Sequence, residues 1–204
     1  MKKLSLLLLP TLLLAVTAQA QDDGFKPLFN GKDITGWHLR NDKGHNAWKV
    51  EDGVLKNDLK DGEHGTDLVT DKKFWNFTVR YEYKVPEGSN SGFYLRGQHE
   101  IQILGDYKSG KATKGGNGAI YQHTLPSEFA SKPADEWQIC EATIIGDKVS
   151  VTLNGKKIHD NVRVERATGS EIDNKVNEPG PIFLQGDHGV VSFRKIEIKE
   201  LPKE

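Results

Sequence analysis

Alternation of apolar and polar residues with a period of two recurs along the chain. The clearest example is Phe77–Val85, where every odd position is apolar or aromatic and every even position is polar. Such alternation is typical of a β-strand with one face in a hydrophobic core and the other in water. No long stretch places apolar residues at helical spacing. The pattern therefore predicts a chain built almost entirely from strands.

Turn signals divide the alternating segments from one another. Asn154-Gly155 follows the alternating segment Lys148–Leu153 and predicts a type I′ hairpin. The last predicted strand, Val191–Ile198, loses its alternation between Phe193 and Ile196, which predicts a bulge near Arg194. Roughly ten to twelve short strands joined by Gly-rich turns predict a sandwich or jelly roll.

The N-terminal residues have the pattern of a secretory signal. A basic start at Lys2-Lys3 precedes an apolar stretch, Leu4–Val16, and a small-residue cleavage site, Ala18-Gln19-Ala20. The apolar stretch is shorter than the roughly 20 residues that span a bilayer. We therefore expect a signal peptide over residues 1–20, no membrane span, and a periplasmic or extracellular single domain over residues 21–204.

Charge and short motifs narrow the function classes. The formal net charge is −1 and the charged residues are interspersed, so nucleic acid is not an expected partner. The chain has no phosphate-binding loop, nucleophile elbow or dinucleotide fingerprint. No group of residues has zinc-ligand spacing, so neither a metal site nor a cofactor is predicted. The one alternative is a structural calcium held by Asp58, Asp61 and Glu63 in a probable acidic loop.

Polar side chains follow or interrupt several predicted strands. The apolar run Ile182–Leu184 leads directly into Gln185, Asp187 and His188. Similar juxtapositions occur at Asn90–Arg96 and at Glu100–Asp106. Repeated hydrogen-bonding groups at strand ends, or on one face of a strand, predict a ligand site built across a sheet.

The segment Asp23–Trp37 resembles the N-terminal signature of a bacterial family described as the 3-keto-disaccharide hydrolase domain. Further matching segments follow in the family's order: Asn90–Arg96, Glu100–Leu104, Gly118–Tyr121, Glu136–Gln138 and Gly180–Leu201. The resemblance implies a concanavalin A-like jelly-roll sandwich of two curved antiparallel sheets, with the ligand on the concave face. It also implies substrates that are glycosides oxidised to a ketone at C3. The chain departs from the family's commoner pattern after Tyr121, where Gln122-His123 replaces a Gly-Gln pair.

The residues of the predicted strand Glu100–Leu104 bear on the reaction type. Glu100 and Gln102 share one face, about 7 Å apart along the strand. An ordinary glycosidase needs two carboxyl groups at a defined separation, but Gln102 is an amide. A ketone at C3 instead acidifies the C2 hydrogen, so one base can start an elimination that water addition completes.

A 3-keto-glycoside hydrolase that works in this way needs one base, and groups that bind the ketone and the hydroxyls. Either Glu100 or His188 is the expected base, and Arg96 with Gln102 or Gln185 is expected to bind the ketone and the hydroxyls. The remaining expected substrate-binding residues are Tyr94, Tyr121, His123 and Asp187.

Two other function classes stay open from the sequence. A carbohydrate-binding module of the same fold would perform no chemistry, because sandwiches serve both roles. An ordinary glucanase would need a second carboxylate close to Glu100. In the enzyme reading the substrate is a carbohydrate, and a separate sugar 3-oxidoreductase must supply the ketone.

Overall fold

The computed structural model describes residues 23–60 and 62–203. The predicted signal peptide at residues 1–20 lies outside this range. The described chain contains one short 3₁₀ helix, Tyr107–Ser109, and the following strands: β1 (Lys26–Pro27), β2 (Trp37–Leu39), β3 (Trp48–Glu51), β4 (Val54–Asn57), β5 (Leu68–Phe74), β6 (Phe77–Lys84), β7 (Asn90–Leu95), β8 (His99–Leu104), β9 (Gln138–Ile145), β10 (Lys148–Leu153), β11 (Lys156–Arg163), β12 (Gly180–Leu184) and β13 (Val191–Glu200).

The strands form two antiparallel sheets. The larger sheet has eight strands in the order β11-β10-β9-β6-β13-β4-β3, with β1 also paired to β13. The smaller sheet has five strands in the order β2-β5-β12-β7-β8. The predicted all-β sandwich of two antiparallel sheets is thus confirmed. Within the described ranges, no helix has the length and apolar character needed to cross a bilayer.

The hydrophobic core lies between the two sheets. The odd positions of β6 are buried and its even positions are partly exposed, as the alternation predicts. Tyr81 of β6 stacks on Phe93 of β7, in the opposite sheet, with ring centroids 3.9 Å apart. Because side chains alternate along a strand, this contact shows which residues of β7 face the core. Phe93 and Leu95 face it, and Gly92 and Tyr94 face away from it.

Both predicted local irregularities are present. Asn154 and Gly155 have φ values of 53° and 81°, the positive pair that a type I′ turn requires. The pairing of β13 with β6 shifts register between Arg194 and Glu197, and Lys195 between them has a φ of 50°. The bulge predicted near Arg194 is therefore confirmed.

Three segments differ from the sequence-based expectation. β5 was not predicted, because Leu68, Val69 and Thr70 are buried in succession and interrupt the period of two. The sequence also predicts a strand at 119–122, but the structure has only isolated bridges at Ile120. The segment 164–179, between β11 and β12, is a long loop that the sequence did not single out, and its hydrogen bonds reach Arg40, Gly97 and Glu100 in or beside the smaller sheet.

Candidate active site

The hairpin of β7 and β8 gathers most of the predicted site residues on one surface. Tyr94 pairs with Glu100, and Gly92 pairs with Gln102. Cross-strand partners lie on the same face of a sheet, so these side chains point away from the core together. We call this surface of the five-stranded sheet the outer face.

Glu100 is a buried carboxylate on β8, the last strand in the order of the five-stranded sheet. The residue is only 3% exposed, and Tyr94 Oη donates a hydrogen bond of 2.8 Å to Glu100 Oε2. Gly92 makes room for the carboxyl group, because a Cβ atom at position 92 would collide with Glu100 Oε1. Burial raises the pKa of Glu100 to about 7; the Tyr94 bond opposes this rise, and the charges of Asp187 and Asp67 add to it.

An aromatic surface adjoins the carboxylate. The ring of Tyr94 stacks on Phe183 of β12 with centroids 3.7 Å apart, and the Arg40 guanidinium lies 5.4 Å from the Phe183 centroid. Val69 and Ile172 complete this apolar cluster. Burial, together with the charge of Glu100 and the bond to it, raises the pKa of Tyr94, so its hydroxyl stays protonated and acts as a donor.

The loop 164–179 is attached to the outer face beside Glu100. Arg40 donates hydrogen bonds of 2.8 Å to the carbonyls of Ser170 and Glu171. Thr168 Oγ1 accepts from the backbone N–H of Glu100, and the N–H of Ile172 donates to Gly97 O. The loop therefore covers one side of the carboxylate and contributes to its burial.

Asp67 is a second buried carboxylate in this region, and the sequence analysis did not include it. Its Oδ1 accepts from the N–H of Gly186 at 3.0 Å, and its Oδ2 accepts from Arg40 at 3.1 Å. Burial raises its pKa against these two bonds. Asp67 precedes the unpredicted strand β5, so no periodicity marked it as a residue of the sheet. The two bonds connect Arg40 to the segment that carries Gln185, Asp187 and His188.

His188 lies at the edge of the outer face and is linked to it by Asn90. Its Nε2 lies 2.7 Å from Asn90 Nδ2, and its Nδ1 lies 2.8 Å from Asp187 Oδ1. The Asp187 contact is a close electrostatic approach without hydrogen-bond alignment. His188 also borders a cavity of about 500 Å³ that includes His64 and Glu87.

Two buried amides present unused acceptor atoms. Gln102 and Gln185 are 3% and 7% exposed, and neither Oε1 has a hydrogen-bond partner among the described residues. Buried acceptors of this kind are costly unless a ligand or water satisfies them. By the alternation of their strands, both residues point to the outer face, so the two unpartnered oxygens lie on the same side of the sheet as Glu100.

Tyr121 is attached to β8, where its backbone N–H donates to Glu100 O at 3.1 Å. The Tyr121 ring approaches Gly115, whose carbonyl accepts from Gln102 Nε2 at 3.3 Å. His123 instead has its Nδ1 2.7 Å from Thr124 Oγ1. Burial, followed by the charges of Arg166 and Lys114, lowers the pKa of His123.

By the alternation of side chains along its predicted strand, Arg96 is expected to share the face of Tyr94, and the structure shows that this expectation is wrong. Arg96 has a φ of 55° in the turn after β7, which redirects its side chain. The guanidinium donates to the carbonyls of Trp75 and Gly146 at 2.7 and 2.8 Å, and it lies 3.7 Å from the Trp75 ring centroid. Arg96 thus holds loops at the edge of the sandwich, and its side chain is not directed at Glu100.

The acidic loop proposed for calcium has partners of its own. Asp58 forms an ion pair of 2.6 Å with Lys49, and Glu63 Oε2 accepts from the Lys60 N–H. Asp61 lies outside the described residues. Across residues 23–60 and 62–203, no group of three His, Cys, Asp or Glu side chains is arranged to hold a metal ion. Calcium at this loop stays a prediction.

Comparisons with known proteins agree with this architecture. A family model described as the 3-keto-alpha-glucoside-1,2-lyase-like domain matches residues 24–199. A 3-keto-disaccharide hydrolase of Bacteroides thetaiotaomicron is 29% identical, over 56% of this chain and 50% of that protein. The chain therefore spans about half the length of this curated relative.

Solved structures show the same fold. The crystal structure of a presumed glycosyl hydrolase from Parabacteroides distasonis is 29% identical, with a TM-score of 0.71, over 88% of this chain and 84% of that chain. A β-1,3-1,4-glucanase (lichenase) derived from a mouse hindgut metagenome has a TM-score of 0.51 at 14% identity, over 87% of this chain and 98% of that chain. The second likeness shows the fold alone, a concanavalin A-like sandwich. Taken with the match over residues 24–199, these findings show that the chain belongs to the 3-keto-alpha-glucoside-1,2-lyase-like domain family.

Proposed function

We propose that this protein cleaves glycosides that carry a ketone at C3, with Glu100 as the base that removes the C2 proton. The observation that carries the proposal is the buried Glu100 carboxyl, whose pKa is raised to about 7. A carboxylate with this pKa is a stronger base than an ordinary one and is still substantially ionised near neutral pH. The family and the named relative support a carbohydrate-active enzyme.

The reaction balances with one carboxylate. Glu100 takes the C2 proton, and the C–H electron pair forms an enolate with the C3 ketone. The enolate electrons then re-form the ketone and a C1–C2 double bond, while the C1–O bond breaks. The departing oxygen receives the proton that Glu100 acquired. Water subsequently adds its hydroxyl to C1 and its hydrogen to C2, so that the net change is hydrolysis.

The surrounding side chains fit the groups of such a sugar. The free Oε1 of Gln102 accepts a hydrogen bond from a hydroxyl, because its NH₂ group is already bonded to Asn90 and Gly115. Gln185 Oε1 has no hydrogen-bond partner within the described part of the chain, so it can accept a hydrogen bond from a second hydroxyl of the sugar. The stacked rings of Tyr94 and Phe183 offer an apolar surface beside the carboxylate.

Deuterium incorporation tests both the activity and the mechanism. The purified protein would be mixed in D₂O with 3-keto-trehalose and a 3-keto β-glucoside, with the unoxidised sugars as controls, and followed by NMR. We expect release of 3-keto-glucose from the oxidised sugars only, with deuterium at C2 at the earliest times. A sample of 3-keto-glucose under the same conditions corrects for spontaneous exchange at C2.

The outcomes separate the candidate functions. Release of product that keeps hydrogen at C2 would contradict elimination and favour direct displacement at C1. Cleavage of the unoxidised sugars would show an ordinary glycosidase and would direct attention to Asp67 as the second carboxylate. Selective line broadening of the sugar without turnover would show a binding module. In the enzyme, the ketone must come from a separate sugar 3-oxidoreductase.

A further inference from the structure

A chain of amide hydrogen bonds crosses the outer face and ends at His188. Gln102 Nε2 donates to Gly115 O at 3.3 Å and to Asn90 Oδ1 at 3.1 Å. Asn90 Nδ2 then meets His188 Nε2 at 2.7 Å. The geometry points to these two amides as positioning residues that fix the tautomer of His188. This inference rests on the proposed function for its consequence, but it can be tested without substrate.

The first step is set by the chemistry of a backbone carbonyl. Gly115 O can only accept a hydrogen bond, so the group of Gln102 that faces it must be the NH₂ group. The same NH₂ group faces Asn90, which must therefore present its carbonyl oxygen to Gln102. The orientation of both amides follows from this one acceptor.

The second step transfers this constraint to the histidine. Because Asn90 presents its oxygen to Gln102, its NH₂ group faces His188 Nε2. A donor on Asn90 requires an acceptor on the ring, so Nε2 carries the lone pair and Nδ1 carries the proton. Nδ1 itself lies 2.8 Å from Asp187 Oδ1, although the two groups are not aligned for a hydrogen bond. The electrostatic environment of Nδ1 therefore supports the same tautomer.

The consequence for the site is a division of roles between the two candidate bases. The Nε2 lone pair of His188 is occupied by Asn90, so His188 cannot accept a substrate proton there while this bond is in place. Glu100 has one carboxyl oxygen bonded to Tyr94 and keeps Oε1 beside Gly92. Of the two, Glu100 is the group with a free acceptor atom, and His188 presents a donor at Nδ1.

The tautomer can be read by long-range ¹H–¹⁵N correlation spectra of the uniformly ¹⁵N-labelled protein, with His188 assigned through the His188→Gln variant. The spectra would be recorded in a pH series that is extended upward until the His188 ring signals no longer change. We expect Nδ1 to be protonated and Nε2 to be pyridine-like in the unsubstituted protein. Protonation of Nε2 instead would overturn the inference.

Two substitutions should reverse the tautomer. In Asn90→Asp the carboxylate has only acceptor atoms, so it should draw the proton to Nε2. Gln102→Glu makes no direct contact with His188, yet its carboxylate should turn Asn90 around so that the Asn90 oxygen faces the ring. Reversal by Gln102→Glu is the signature of a relay, because a residue that merely supports the fold would leave the tautomer unchanged.

The controls keep the test decisive. Asn46 is exposed and uses its side-chain oxygen to accept from Trp48, so Asn46→Asp adds a similar charge without disturbing that bond. It should leave the His188 tautomer as it is. If Gln102→Glu does not fold, Asn90→Asp still tests the terminal link, and an unchanged tautomer there would refute the inference. Since no sugar is present, a negative result here is distinguishable from an absence of turnover.

Discussion

Arg96 and Glu100 are two buried charges only four positions apart, and they are stabilised in opposite ways. Arg96 is 1% exposed, and its donors reach Trp75 O, Gly146 O and Asn76 Oδ1. Glu100 is 3% exposed but has a single side-chain bond, from Tyr94. Burial lowers the pKa of Arg96 to about 10, so it remains charged at neutral pH, whereas the pKa of Glu100 is raised to about 7.

The difference separates a structural charge from a reactive one. A buried guanidinium with a hydrogen bond at each of its three nitrogens connects the loops that supply the acceptors, and its removal leaves those acceptors unsatisfied. A buried carboxylate with unused acceptor capacity is destabilising to the fold, and groups of this kind concentrate at functional sites. Gln102 and Gln185 on the outer face each have a buried side-chain oxygen without a partner among the described residues, so they too have unused acceptor capacity. Four predictions test this contrast.

The largest expected effect is on turnover. Glu100→Gln removes the base while keeping the size of the side chain, and we expect the rate of 3-keto-glycoside cleavage to fall by about 10²–10⁴-fold. The protein should remain folded, because a neutral amide does not need the missing partners. The exposed Glu141, on the opposite sheet, offers the matched change Glu141→Gln, which should leave the rate unaltered. A rate within about threefold of the unsubstituted protein would remove Glu100 from the role of base.

Arg96 should show the reverse profile, with a large effect on stability. Arg96→Met removes the side-chain donor to the partly buried carbonyls of Trp75 and Gly146, and each unsatisfied group costs about 1–3 kcal/mol. We expect the free energy of unfolding to fall by about 3 kcal/mol or more in urea titrations. The fraction that is still folded should keep near-normal turnover.

The control for this variant is an exposed arginine. Arg163 pairs with Asp147 and Glu165 at the surface, and Arg163→Met should leave the free energy of unfolding nearly unchanged. Equal losses in Arg96→Met and Arg163→Met would contradict the structural role. A loss of turnover in Arg96→Met without a loss of stability would return Arg96 to the catalytic group.

The pH dependence of stability provides the next test. The folded-state pKa of Glu100, about 7, is above its ordinary value of 4.5. A raised carboxyl pKa means that the protonated form favours folding, so this contribution is complete below about pH 4.5 and is lost as the pH rises through about 7. Relative to the unsubstituted protein, Glu100→Gln should therefore gain stability above pH 7, on the order of 2–3 kcal/mol. Chemical denaturation between pH 5 and pH 9 would measure the gain, and a pH-independent difference would show that Glu100 is not destabilising when ionised.

The sequence predicted most strands and turns around the site, but it did not predict every strand that forms it. Alternation in Phe77–Val85 and the signals at Asn154-Gly155 and Arg194 were local, so the strands, the turn and the bulge could be predicted from neighbouring residues alone. β5 could not be predicted in this way. Its residue Leu68 faces the core, and Val69 on the outer face is buried by the distant segment around Ile172. Alternation of apolar and polar residues identifies a strand that has one buried face. It does not identify a strand whose second face is covered by a loop.

The same limitation explains which site residues were found. Glu100 and Gln102 follow from the parity of one strand, and the structure places both on the outer face. Arg96 was misplaced because a positive φ in the turn after β7 cancels the parity. Asp67 and Arg40 were missed because their contact to each other and to the loop at Ser170 is made between segments far apart in sequence. The alternation of side chains predicts which face a residue occupies only within one strand. It gives no prediction for a residue in the following turn, such as Arg96.

The smallest expected effect concerns the space above Gly92. Gly92→Ala places a methyl group where Glu100 Oε1 now lies and close to the Tyr94 ring, so the carboxyl group must move. The backbone of β7 need not change, because Gly92 does not have a positive φ. A displacement of about 1 Å can reduce a rate by up to about 10²-fold, so we expect a loss between roughly tenfold and a hundredfold. The double variant Gly92→Ala/Glu100→Gln should be no slower than Glu100→Gln alone, since the methyl group then has no base left to displace. An additional loss in the double variant would mean that Gly92 serves the site through something other than the position of Glu100, such as direct access of the sugar to the sheet.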